Sequence, residues 1–280
     1  MTSERTPGRI HTRLILFFLV LTCGLFCSCR DVPITGRSQF ILTTASYENS
    51  LGAESYEEYK TEYPKSSNTE YNEALDRCGN AIKIVANELG GDSEEFEWEF
   101  TVLDSEIQNA FCLPGGKVAV YTGLMDYMDN EAELAFVVGH EIGHAIARHG
   151  GERMSRSILQ SVGAVLVSAL FNNEVIDELY GTGTEIGIML PYSRSNESEA
   201  DAIGLILMAR AGYDPSASYT FWKRFTNNAE GSSKLDAILS THPCDSDRIA
   251  AMQEGEAAAR AEYNKAKTKY GFGKTFTHKK

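Results

Sequence analysis

The chain is poor in positive charge. Its 26 Lys and Arg face 39 Asp and Glu, for a formal net charge of −13 over 280 residues. Nucleic acid is gripped by a basic face, so no nucleic-acid partner is expected. Cysteine is scarce once the first 29 residues are passed, leaving Cys78, Cys112 and Cys244. Three thiols allow one disulfide at most, and nothing in the sequence selects the pair. None stands in a Cys-x-x-Cys spacing, which argues against a cysteine-built zinc site. After the N-terminal segment no apolar run approaches the about 20 residues of a membrane span. The most apolar later stretch, 158–171, reads as a buried helix or a cover over a cleft. There is no internal repeat of 20–50 residues and no long low-complexity run.

What is present begins with a leader. Arg5, Arg9 and Arg13 precede the apolar run 14–21, and small residues and cysteines follow, the layout of a secretory signal over 1–28. Cys23, Cys27 and Cys29 compete as the processing point. Cys29 follows the small Ser28 and is taken as the lipid-bearing residue, although Phe26 and Cys27 fit the bacterial lipoprotein pattern only loosely. One acylated cysteine places a protein on a membrane without crossing it. Arg30 behind it favours the outer membrane if the sorting scheme of enteric bacteria applies.

Residues 29–44 read as an extended tether broken by Pro33 and Gly36, 45–266 as one domain, and 267–280 as a disordered basic tail. Helices are predicted over 45–63, 69–89, 131–149, 195–211 and 247–266, with another starting at Asp214 and Pro215. Phe96, Trp98, Phe100 and Val102 alternate with polar neighbours as a half-buried strand does. With 107–113 and 117–122 they make a small sheet with one exposed edge. The glycine-rich 181–188 reads as a mobile loop. The fold class is α+β, mainly helical.

The chemistry lies in GHEIGH, residues 139–144. On a helix, His140 and His144 fall about 40° apart at roughly 100° per residue, so both imidazoles can hold one metal ion. Glu141 stands beside them, where a carboxylate can take a proton from a metal-activated water. This is the HExxH arrangement of a zinc hydrolase. Gly139 and Gly143 each cost about 1 kcal/mol in a helix, which is repaid if another element, such as a strand, must come close. A catalytic zinc needs a third protein ligand. His149, about 140° round the helix from His144, fails as one. Glu197 and Asp201, one turn apart on a later helix, fit better: Glu197 as ligand, Asp201 as acceptor for the free nitrogen of His140 or His144. Glu199 points to a different face.

The run 109–149, NAFCLPGGKVAVYTGLMDYMDNEAELAFVVGHEIGHAIARH, resembles the zinc metallopeptidase family that includes the CAAX prenyl protease and the HtpX and BepA peptidases. Further matches in order are YSR at 192–194, 197–201, AGYDP at 211–215, THP at 241–243 with Arg248 and Ile249, and VPITGR at 32–37. The resemblance implies a zincin-like metallopeptidase domain with one Zn2+ held by His140, His144 and Glu197, and Glu141 as general base. It also implies that the strand near Asn109 and Ala110 holds the substrate backbone extended. It gives His242 one of two roles, occupying the metal's open position or stabilising the oxyanion; a loop histidine stacked on Pro243 remains the plain alternative. Arg248 then serves the intermediate's charge or a carboxylate behind the ligands, and Arg194 is structural. The chain lacks the membrane spans of some members and the tetratricopeptide repeats of others, so partner recognition falls to the catalytic domain. Cys112 and Cys244, near these segments, allow redox control. The expected function is a zinc endopeptidase acting on misfolded or unassembled envelope proteins from a periplasm-facing lipid anchor. The alternative is a chaperone-like lipoprotein whose zinc site is held inactive by His242.

Overall fold

The computed structural model describes residues 29–171, 192–229, 236–243, 245–272 and 274–277. The expected leader, the glycine-rich 181–188 and Cys244 lie outside them. In chain order, strands β1 (Cys29–Asp31) and β2 (Ser38–Phe40) precede helices α1 (Ala45–Glu62) and α2 (Thr69–Glu88). A single 3-10 turn, Gly91–Glu95, leads to strands β3 (Glu99–Leu103), β4 (Ala110–Leu113) and β5 (Lys117–Tyr121). Helices α3 (Thr122–Met125), α4 (Glu131–Ile146), α5 (His149–Phe171), α6 (Arg194–Arg210), α7 (Ser216–Ala229), α8 (Asp236–Thr241) and α9 (Ser246–Lys265) follow.

Helix α4 is buried at every residue, as a helix apolar on nearly all sides must be. The Asn130 side chain accepts from the N–H groups of Ala132 and Glu133, and Glu131 and Glu133 sit in the first turn, where the dipole favours acids. Helices α2, α6 and α7 and strand β4 pack around it, and α9 packs on α6. The glycines of α4 serve helix α6, not a strand as expected. A Cβ on Gly139 would meet the Gly204 carbonyl oxygen at 2.9 Å, and one on Gly204 would lie 2.6 Å from the His140 nitrogen. The two backbones therefore touch, which brings the first turns of α6 against the imidazole face of α4.

In the three-stranded sheet β5 is central. β3 runs parallel to it with Glu99 opposite Lys117, and β4 runs antiparallel with Ala110 opposite Val120. Among the described residues β4 has no other strand partner, so one row of its backbone groups is free.

The structure departs from expectation at four places. The presumed tether folds as a hairpin: Cys29 pairs with Phe40, the N–H of Val32 bonds the Arg37 carbonyl, and Val32 is buried. The tail is docked, since the Tyr270 N–H bonds the Gly212 carbonyl and the Phe276 N–H that of Asp129. The helix predicted over 131–149 breaks at Arg148, whose φ is +51°. Ile158, Leu159 and Val162 on α5 are exposed, so that stretch is no buried helix at its start. No helix among the described residues is long and apolar enough to cross a membrane.

Candidate metal centre and catalytic cleft

Helix α4 supplies His140, Glu141 and His144, α6 supplies Glu197 and Asp201, the end of α8 supplies His242, and α9 supplies Arg248. All are buried. Among the described residues, His140, His144, Glu197 and His242 form one group whose ligand atoms lie within 4.8 Å of one another. His140 Nε2 is 3.1 Å from His144 Nε2 and 3.3 Å from His242 Nδ1. The Glu197 carboxylate lies 3.5 Å from His140 Nε2 and 3.2 Å from both His144 Nε2 and His242 Nδ1. A tetrahedron with metal–ligand bonds of about 2.0–2.1 Å has edges of roughly 3.3–3.4 Å. Three nitrogens and a carboxylate at these spacings fit a zinc ion.

Glu197 Oε2 supports the fit. It is buried without a hydrogen bond; Arg248 Nη1 approaches to 2.8 Å as an ion pair but not with hydrogen-bond geometry. Burial works against charge on Glu197, yet His242 and His144 hold its carboxyl far below the usual range. Burial likewise disfavours protonated His140, but Asp201 and Glu197 outweigh it and raise its pKa to about 10. Burial lowers His144 well below the ordinary histidine range and pushes the Glu141 carboxyl up. An anion among crowded imidazoles, shut away from water, is a site for a cation.

Behind these groups, His140 Nδ1 lies 2.8 Å from Asp201 Oδ1. Arg248 donates to both Asp201 oxygens, through Nε at 2.7 Å and Nη2 at 2.8 Å, and to the Pro243 carbonyl. Arg248 thus contacts the carboxylates of Asp201 and Glu197. Arg194 makes an exposed ion pair with Asp245. Glu199 is not in the donor group; its carboxylate meets Thr35, Arg37 and His149.

His149 is where sequence reasoning stopped short. It is no ligand, but the break at Arg148 turns it back beside His144, with the two Nδ1 atoms 2.8 Å apart. Its Nε2 lies 3.0 Å from Glu199 Oε2. Tyr192 stacks on the His144 ring at 3.9 Å between centroids, under the Arg153 guanidinium. The Gly150 and Gly151 doublet was the available signal for a break here.

A cleft of roughly 1160 Å³, counting its open mouth, is lined by Glu141, His144, Tyr192 and His242 together with 109–114, which include β4. Asn109 and Ala110 thus share this cleft with Glu141, and Asn109 Oδ1 is buried without a hydrogen-bond partner. Tyr47, Leu51, Tyr59 and Met154 also line it. Cys112 and Cys78 are free and buried, and burial pushes both thiols up, which keeps them protonated and unreactive.

A paired HExxH helix and carboxylate-bearing helix beside an open edge strand define a zinc metallopeptidase. The sequence agrees: residues 75–256 match the profile of peptidase family M48, and the chain belongs to that family. It is 33% identical over 230 residues to the mitochondrial metalloendopeptidase OMA1 of Schizosaccharomyces pombe, covering 82% of this chain and 67% of that protein. It is 31% identical over 262 residues to the metalloendopeptidase OMA1, mitochondrial, of Homo sapiens, covering 88% and 49%. It is also 35% identical over 162 residues to the beta-barrel assembly-enhancing protease of Escherichia coli, covering 55% and 33%. The chain matches between about a third and two thirds of the length of these relatives.

Proposed function

We propose that this zinc metalloendopeptidase cleaves misfolded or unassembled proteins of a bacterial cell envelope, working from a lipid on Cys29 at the periplasmic face of the outer membrane. The observation that carries the substrate class is the free edge of β4 in the same cleft as Glu141. Strand addition uses backbone groups, so it accepts any extended, unfolded segment with little regard to sequence. Asn109 Oδ1 offers an acceptor to a peptide N–H there. The leader layout supports export. One bacterial relative is named for β-barrel assembly, and such barrels are characteristic of outer membranes. The OMA1 relatives are named as mitochondrial, but the leader and cysteine layout favours the bacterial setting.

His140, His144 and Glu197 would hold the zinc. When bound, the ion polarises the scissile carbonyl and lowers the pKa of water. Glu141, buried beside the cluster with its pKa raised, takes the proton of the attacking water and returns it to the amine as the C–N bond breaks. Asp201 orients His140, and Arg248 keeps Asp201 ionised.

A second reading has its own observation. His242 Nδ1 stands at the fourth corner of the donor set, within 3.3 Å of both His140 Nε2 and Glu197, where it would block the reacting position and leave a chain that binds without cutting. Its ring also reaches to 3.6 Å from Glu141. Casein cleavage by the wild type and by the Glu141→Gln and His242→Ala variants separates the readings. The peptidase predicts that Glu141→Gln keeps its zinc and loses about 10²–10⁴-fold in rate. A blocking His242 predicts a silent wild type that gains cleavage in His242→Ala, an oxyanion role predicts slower cleavage, and silence in all three chains overturns both the peptidase and the block.

A further inference from the structure

We infer that His149 and Glu199 form a relay that fixes the tautomer and aim of His144, and that Arg37 of the N-terminal hairpin completes it. The segment just after Cys29 thereby helps the chain keep its metal. The inference rests on zinc binding at His140, His144 and Glu197.

The protons of the relay can be placed by elimination. A metal takes the lone pair of His144 Nε2, so the proton of the neutral ring sits on Nδ1. That atom is 2.8 Å from His149 Nδ1. Two N–H groups do not face each other at that distance, so His149 Nδ1 accepts. Neutral His149 then carries its own proton on Nε2, 3.0 Å from the Glu199 carboxylate, which accepts it. Every donor meets an acceptor from Glu199 through to the metal position. His140 has the shorter version, with Asp201 directly on its Nδ1. Outer partners of this kind orient ligating imidazoles, and their loss typically costs about 10–100-fold in metal affinity.

The relay is assembled from three distant parts of the chain. Arg148, at φ +51°, donates to Glu48 and to the Thr43 carbonyl. Those bonds hold the break that turns His149 inward. Helix α6 carries Glu199, and the hairpin clamps it: the Thr35 hydroxyl donates to Oε1 and Arg37 Nε to Oε2 at 2.7 Å. The other Arg37 nitrogens clasp Glu152 on α5 at 3.0 and 3.2 Å. The hairpin thus closes over a metal ligand's support, although it touches no ligand itself.

The test is the rate at which a chromogenic chelator strips zinc from the full chain in the wild type and in His149→Phe, His149→Gln and Arg37→Gln. Glutamine keeps one acceptor and one donor where phenylalanine has neither. We expect zinc loss about 10–100-fold faster in His149→Phe and a return to within about threefold of the wild type in His149→Gln. Arg37→Gln should fall between. With cobalt in place of zinc, the visible spectrum should shift in His149→Phe and coincide with the wild type in His149→Gln. Equal rates in His149→Phe and the wild type, or equally fast loss from both His149 variants, would overturn the relay. Should His149→Phe not fold, Arg37→Gln decides: faster release supports the inference, and unchanged release overturns it. A wild type that holds no zinc overturns the metal reading and this inference together, whereas a loaded wild type with indifferent variants overturns only the inference.

Discussion

The two imidazoles on α4 are held in opposite ways. His140 is backed by Asp201, which is gripped by Arg248, whose side chain is 1% exposed and lies over the Trp222 ring. Those groups come from α6, α7 and α9, long helices packed in the main core. His144 is backed through a second imidazole by Glu199, which is gripped by Arg37, whose side chain is 33% exposed. That grip comes from a two-stranded hairpin on the surface. The first support cannot be released without opening the core. The second can come away locally, because a small half-exposed element unfolds at less cost than the whole domain. Around one donor group, then, one support lies wholly in the core and the other reaches the surface through Arg37, with Val32 as its anchor in the core.

The two supports should differ in their weight on stability. Arg248→Ala leaves Asp201 and Glu197 buried without their cation, and removing one partner of a buried pair costs about 3–5 kcal/mol. Arg37→Ala should cost less, about 1–3 kcal/mol: Arg37 is itself a third exposed, and its buried partners Glu199 and Glu152 keep His149 and Arg156. Denaturant unfolding of the metal-free chains measures both, and equal losses would show that the hairpin is as integral as α9. Next in size is removal of the metal. A ligand at 100–1,000 times its dissociation constant stabilises by about 2.7–4.1 kcal/mol. Chelation should therefore lower the melting temperature while the chain stays folded, since Asp201 and Arg248 still satisfy each other. The wild-type loss should shrink in His149→Phe if that variant has already given up affinity.

A third effect tests what puts the two supports on one ion. Gly204→Ala drives a methyl group against the His140 backbone, where nothing flexible can yield. Overpacking of this kind costs about 1–3 kcal/mol, and separating α6 from α4 should reduce zinc per chain as well. A variant that is destabilised but fully loaded would mean that the helix contact serves packing alone.

Much of this was legible in the sequence because it is local or periodic. The HExxH spacing, the one-turn separation of Glu197 and Asp201, and the alternation in β3 and β5 each follow from a helical or strand repeat. The supports of His144 follow from none. An unbroken α4 would put His149 on another face, and the positive φ at Arg148 that breaks it is fixed by Glu48 and Thr43, about a hundred residues earlier. In VPITGR, Pro33 and Gly36 mark a turn without saying what the turn packs against, so the segment looks like a tether in sequence. Long-range ion pairs leave no periodic trace, so Arg37 with Glu199 and Glu152 could be found only once the fold had brought them together.

The smallest effect probes that break directly. Gly150 follows His149 in the first turn of α5, and a Cβ placed on it meets nothing within 4 Å. Alanine there should stabilise the chain by about 0.5–1 kcal/mol through backbone entropy alone. It also stiffens the turn that delivers His149 to His144, so zinc release should slow slightly or stay level. A gain in stability accompanied by faster release would mean that the turn must flex for the metal to seat, and the hairpin side would then be an entry route as well as a support.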